Sequence, residues 1–173
     1  HDHSFRVPRP DLSDKFETSN ACNDCHKDKN AAWAAAAIEG WFGPEREGLQ
    51  NYAEAFHAAW RDEPGAAIRL AAVAADTNTP AFARAGAIAE LAGHVSPETL
   101  DVARAGLSDA DPMVRIAALD MLDNVPPDRL WPVVSPLLSD PVRGVRIKAV
   151  SLLAGVSDAQ LSGTDRERLK GAT

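Results

Sequence analysis

Two cysteines and a histidine stand close together near the N-terminus, in the order Cys22, Cys25 and His26. At this Cys-x-x-Cys-His spacing, two thiols can each form a thioether to one porphyrin while the following imidazole ligates its iron. The chain has 2 cysteines, both in this motif, so no disulfide framework competes for the thiols. The motif predicts one covalent haem c site, with Cys22 and Cys25 as attachment residues and His26 as the proximal ligand.

A second axial ligand is expected to be another imidazole. Tyr52, Phe56 and Trp60 recur every fourth residue and predict an apolar stripe on one helix. His57 lies next to this stripe, among alanines that would let a flat macrocycle come close. We predict His57 as the distal ligand, the alternative being a hydrogen-bonded residue of the helix core. His3 is the second candidate for this position, the alternative there being a solvated histidine near a chain end.

The residues before the motif are expected to form an extended arm. Residues 1–20 include Pro8 and Pro10 and show neither a helical nor a strand period. Ser19 or Asn20 has the right chemistry to cap a first helical turn that enters the motif.

Two helices are expected after the motif. Residues 28–39 are rich in alanine and predict a helix that Gly40 and the pair Gly43-Pro44 end. A second helix is expected over residues 44–61. Trp33 and Trp41 would pack either in a small helical core or against the porphyrin, and the two alternatives are compatible.

The C-terminal part of the chain repeats itself with a period of 31 residues. Leu-Ser-Asp at 107–109, for example, recurs at 138–140. Each period predicts two helices joined by a polar turn, which bury their apolar faces by stacking on neighbouring pairs. The predicted fold is all-α: a small haem-binding helical segment over residues 1–63, followed by an α-solenoid of helix pairs over residues 64–173.

Two polar positions recur in each period, one holding Arg84, Arg115 and Arg146, the other Asn78, Asp109 and Asp140. The second position precedes a helix, so its side chain can accept backbone N–H groups that lack a partner in the helix. We expect each arginine to bond to the aspartate of the adjacent repeat and so to form a ladder along the solenoid. Columns at a fixed period come from stacking, which favours a structural over a catalytic role.

Within the repeats, helices are expected over 97–107 and 112–123. The next pair begins at 130–138, where Pro132 and Pro136 should distort or shorten the helix.

Three smaller expectations complete the repeat region. Met113 and Met121 are predicted to be core residues. Residues 164–167 have the pattern of a capping box that opens a last short helix.

The net charge of the chain makes some classes of binding partner unfavourable. A formal net charge of −7 argues against nucleic acid or an acidic membrane surface. No apolar run approaches the length of a membrane span.

Because the chain starts at His1 without a signal peptide, we expect a mature form or a piece of a longer protein. Covalent haem would place it in the bacterial periplasm.

The sequence resembles the C-terminal part of periplasmic multihaem c-type cytochromes, which have doubled Cys-x-x-Cys-His motifs followed by tetratricopeptide or HEAT-like repeats. The segments that carry this resemblance are 2–13, 20–26 and 52–59. Residues 66–156 resemble HEAT repeats of the phycobilisome-lyase type. The resemblance implies electron transfer, with further haems upstream of His1, one of which His3 would then ligate instead.

We therefore predict an electron carrier rather than an enzyme, with a redox partner protein or a neighbouring haem domain as its partner. The alternative is a zinc-binding or haem-free protein-interaction scaffold. Zinc prefers four ligands, and one cysteine pair with scattered histidines matches that preference poorly.

Overall fold

The computed structural model describes residues 8–44, 49–123, 125–157 and 161–172. All regular structure in these ranges is helical, which confirms the predicted all-α class. The chain divides into two compact units, one reaching to Ala53 and the other starting at Glu54. Within the same ranges, no helix combines the length and the apolar character that crossing a membrane requires.

The first unit contains three helices: α1 (Pro10–Phe16), α2 (Cys22–Cys25) and α3 (Ala31–Phe42). Helix α1 packs on α3, and α2 also contacts α3. Among the described residues of this unit, only Pro10, Ser13 and Ala34 are buried. The unit therefore has very little apolar core of its own.

The prediction of an extended arm is wrong for residues 10–16, which form α1. Pro10 sits in the first turn, where its missing N–H has no consequence, and Asp11 follows it near the positive end of the helix dipole. Arg9 holds the entry to this turn, with Nη2 2.7 Å from Asp11 Oδ2. The first seven residues of the chain, including His3, lie outside the described residues.

Helix α3 starts later than predicted and ends at the second of its two predicted terminators. It begins after Asn30, whose side chain accepts the backbone N–H of Trp33 at 2.9 Å and so caps the helix. It passes through Gly40 and ends at Gly43, which adopts a φ of 81°. Packing on α1 outweighs the low helix propensity of the internal glycine.

The second unit contains the remaining helices, which are α4 (Ala53–Trp60), α5 (Ala66–Ala75), α6 (Ala81–Leu91), α7 (Pro97–Gly106), α8 (Pro112–Met121), α9 (Pro127–Val134) with a 3₁₀ helix after it (Ser135–Ser139), α10 (Arg143–Leu153) and α11 (Gly163–Gly171). Helices α6, α8 and α10 stack in one layer, and α5 packs on α7 beside it. The expected stacked helix pairs are confirmed.

Helix α9 confirms the expected effect of its prolines. The α-helical geometry ends at Val134 and continues as the 3₁₀ helix Ser135–Ser139. Pro132 lies inside α9, and Pro136 lies in the first turn of the 3₁₀ helix. Missing N–H groups and ring clashes make a continuous α-helix unfavourable here.

Two of the smaller predictions need correction. Met121 is a core residue, 3% exposed, but Met113 is 52% exposed. Met113 is the second residue of α8, in its first turn, where its side chain is largely in solvent. The last capping box is formed by Ser162 with Asp165, two residues before the predicted Thr164.

The arginine ladder is present. Arg84 forms a buried ion pair with Asp109 of the next repeat. Arg115 does the same with Asp140: Nη2 donates to Oδ1 at 3.0 Å, and Nε lies 2.8 Å from Oδ2. Arg146 ends the ladder by donating to the carbonyl of Ala172 at 3.1 Å. The ladder thus joins successive repeats.

The aspartates also act on their own helix starts. Oδ1 of Asp109 accepts the N–H of Asp111, and Oδ1 of Asp140 accepts that of Val142, both at 2.8 Å. The first repeat departs from the prediction. There Asp76, rather than Asn78, supplies the acceptor, taking the Asn78 N–H at 3.0 Å.

Replacing Asp109 with alanine should destabilise the second unit by about 3 kcal/mol or more, because Arg84 would keep a buried and unpaired charge. Urea unfolding followed by circular dichroism measures this loss. The matched control is Asp101→Ala, which removes an exposed aspartate paired with Arg104 and should cost less than about 1 kcal/mol. Equal losses in the two variants would contradict the structural role of the ladder.

The ladder also predicts how stability depends on pH. Burial acts to raise the pKa of Asp109 and Asp140, but hydrogen bonds from Arg84 and Arg115, backbone N–H donors and the guanidinium charges outweigh it and hold both pKa values below the ordinary range. In the unfolded chain an aspartate has a pKa of about 3.9. The stabilisation from ionised Asp109 and Asp140 is therefore complete above that pH, and it is lost as the pH falls through their lower pKa values in the folded protein.

We therefore expect the free energy of unfolding to fall steeply below about pH 4. Asp140→Asn should be less stable at neutral pH and should lose less on acidification than the unmodified chain. Denaturant unfolding at a series of pH values checks this. Parallel pH profiles for the two proteins would rule out Asp140 as a contributor.

Candidate functional site

The Cys-x-x-Cys-His motif forms a single helical turn on the first unit. Cys22 and Cys25 are the first and last residues of α2, and the His26 N–H closes the turn by donating to the Cys22 carbonyl at 3.0 Å. Both thiols are free; Cys22 is half-buried and Cys25 exposed. His26 is also exposed. Two thiols and one imidazole are thus presented together at the surface.

Asn20 caps this turn, as predicted. Its Oδ1 accepts the N–H groups of Cys22 and Asn23 at 3.1 and 3.4 Å. At Ser19, the other candidate, the backbone carbonyl accepts a hydrogen bond from the Ser13 hydroxyl, with 3.4 Å between the two oxygens. The cap compensates for Ala21, which stands at the N-cap position and offers no side-chain acceptor.

Trp33 packs against the imidazole of His26. Their ring centroids are 4.9 Å apart and the rings are tilted by 50°. Trp33 is 39% exposed, and two larger exposed aromatic surfaces, Trp41 and Phe42, lie at the other end of α3. Exposed aromatics beside a nearly coreless unit mark a surface suited to an apolar group.

The donor set fits a c-type haem better than it fits zinc. The described part of the chain contains no group of three or more His, Cys, Asp and Glu side chains placed to hold one metal ion. Tetrahedral zinc would require four donors, and this motif supplies three. Haem attachment needs no such set of four, because the thiols bond to the porphyrin edge and the imidazole to its iron.

His57 belongs to the second unit, on α4. It is half-buried, and its Nδ1 lies 3.9 Å from Oε1 of Glu63, whose Oε2 also accepts a bond from Arg69. The adjacent Ala58 is 2% exposed, so this small neighbour is packed against protein and does not itself line an open surface. The ligand role of His57 stays a prediction.

The predicted helix and aromatic stripe around His57 are only partly present. Helix α4 starts at Ala53, whose N–H donates to Gln50 Oε1 at 3.0 Å, so Tyr52 precedes the helix. Trp60 is 70% exposed, and its indole Nε1 donates to Glu90 at 3.2 Å.

Comparison with protein families matches residues 74–154 to HEAT repeats. Comparisons with curated proteins and with solved structures found no match. The matched residues contain α6 to α10, the same helices that carry the 31-residue period and most of the arginine ladder. The repeat region is thus HEAT-like, and it has the character of a helical scaffold for protein interactions.

Proposed function

We propose that this chain carries one covalent c-type haem on Cys22, Cys25 and His26 and exchanges electrons through it, beside a helical-repeat scaffold that binds protein. The observation that supports this most directly is the surface turn α2, which presents two free thiols and an imidazole against Trp33. The few buried residues of the first unit add to it, because a bound porphyrin would supply the missing apolar core.

Each residue of the turn has its own task. Cys22 Sγ and Cys25 Sγ would each hold the haem by a thioether to a vinyl group, with the thiol proton added to the neighbouring carbon, so that attachment would consume no oxidant. His26 would supply an imidazole to the iron, and its ring packs on Trp33. When bound, the haem supplies a one-electron couple whose potential depends on axial ligands and burial.

The second axial ligand belongs to the same proposal. His57 is the first candidate and His3 the alternative, since both are imidazoles within this chain. A second imidazole would leave no open iron position, and this is the reason for proposing electron transfer rather than catalysis.

The proposed partner is a redox protein or a neighbouring haem domain. Residues 1–63 carry 7 Lys and Arg against 12 Asp and Glu, so their negative charge favours a basic partner surface. The second unit adds exposed apolar side chains, Ile68 and Ile147 among them, of the kind found at protein contacts. Covalent haem also implies the bacterial periplasm as compartment and, by resemblance, membership of a larger multihaem protein.

Production of the chain together with a cytochrome c assembly system should give about one covalent haem per chain, measured as the pyridine haemochrome. Cys22→Ala should give a product with a single thioether. The double variant Cys22→Ala/Cys25→Ala should give none, because both attachment points are gone. Haem-free material that contains stoichiometric zinc by metal analysis would favour the scaffold alternative instead.

The ligand prediction is tested on the haem-loaded protein by low-temperature EPR. His57→Ala should convert a low-spin signal with two imidazoles into a high-spin signal, and the reduced variant should then bind carbon monoxide. His94→Ala, which removes a histidine of the repeats, is the control. An unchanged spectrum for His57→Ala together with a changed one for His3→Ala would assign the position to His3.

A further inference from the structure

Asn23, between the two cysteines, turns its side chain back onto the backbone. Its Nδ2 donates to the carbonyl of Lys29 at 2.7 Å and, at 3.4 Å, to that of His26. Its Oδ1 accepts from Asn20 Nδ2 at 2.7 Å. The Asn23 side chain therefore joins Asn20, two residues before the motif, to the turn after it.

Helix α2 needs such support. It is one turn of 4 residues, and a single turn fixes many dihedral angles for very few hydrogen bonds. The two asparagines add bonds at both of its ends: Asn20 satisfies N–H groups at the start, and Asn23 satisfies carbonyls beyond the end.

The same contacts link the motif to the helix that carries Trp33. Lys29, held through its carbonyl by Asn23, directly precedes Asn30, which caps α3 by accepting the Trp33 N–H at 2.9 Å. Trp33 in turn packs on the imidazole of His26. The position of the His26 imidazole therefore depends on the position of Trp33, which the bonds of Asn23 and Asn30 determine.

We propose that Asn20 and Asn23 form a clamp that holds Cys22–His26 in its helical turn before the haem is attached. This inference rests on the proposed function, since it gives the clamp a haem to receive. Asn20 and Asn23 are then positioning residues. They form no bond to the haem but determine the separation of the two thiols and the direction of the imidazole.

The clamp matters because two bonds must form to one rigid porphyrin. With both thiols held in one helical turn, the second addition meets a sulfur that is already placed. Without the clamp, a flexible loop would carry Cys22 and Cys25 independently, and products with a single thioether would accumulate. Sequence reasoning missed Asn23, although its spacing of three residues from Asn20 is a signal for side chains on one face of a turn.

The first test compares Asn23→Ala with Asp24→Ala, which truncates the other residue between the cysteines, an exposed one. We expect Asn23→Ala to lower the yield of doubly attached haem several-fold and to shift the haemochrome α-band towards the single-thioether form. Asp24→Ala should match the unmodified chain in both readouts. Asn20→Ala should behave like Asn23→Ala, whereas Asn20→Asp keeps the acceptor for the Cys22 and Asn23 N–H groups but loses the donor to Asn23 Oδ1, and should recover only part of the yield.

A second readout needs no haem. In the reduced, haem-free chain, amide hydrogen exchange of His26 and Lys29 should accelerate roughly tenfold in Asn23→Ala, because loss of the three side-chain hydrogen bonds of Asn23 opens the turn. The amide of Leu91, in the second unit, should be unchanged, which separates a local effect from global unfolding. Asp24→Ala serves again as the control.

The outcomes distinguish the two proposals. An unmodified chain that takes up no covalent haem overturns the proposed function, and with it a haem-directed role of the clamp. If the chain takes up covalent haem but Asn23→Ala equals Asp24→Ala in thioether pattern, and also in amide exchange of the haem-free chain, the clamp is overturned and the proposed function stands.

Discussion

The buried pairing of Arg115 with Asp140, and of Arg84 with Asp109, is the interaction on which the second unit depends. Each pair joins one repeat to the next at a fixed register, and each aspartate also bonds to the backbone near the start of its own helix pair. Removing one partner would leave a charge inside a protein interior, which is far costlier than losing a surface pair. Apolar stacking supplies the driving force, and the ladder selects the register.

The first unit is organised differently. Its helices are short and its described residues are mostly exposed. Its helix ends and turns are therefore held by hydrogen bonds between side chains and backbone more than by a buried apolar core. Asn20, Asn23 and Asn30 each complete a helix end or a turn around the motif. Such a unit gains most from a large apolar group placed against it, which is what the proposed haem would provide.

Some features of this fold follow from the sequence pattern, and others do not. Arg84 and Asp109 were paired correctly because a fixed period is itself evidence of stacking. Met113 was wrongly predicted to be a core residue: it lies in the first turn of α8, where it is 52% exposed. Helix α1 was missed because two prolines suggested an extended arm, although proline in a first turn is compatible with a helix. Propensity and periodicity describe regular segments well and their ends poorly.

By itself the sequence determined the helical class, the 31-residue period, the partners in the ladder and the chemistry available at Cys22, Cys25 and His26. Only the tertiary structure decided which side chains are buried, that Trp33 packs on the imidazole and that Asn23 bridges the two sides of the motif. Spacing along the chain reports which groups are present and which face of a helix they share. Contacts across turns depend on the direction in which the backbone leaves each helix. The periodicity of the sequence carries no information about that direction.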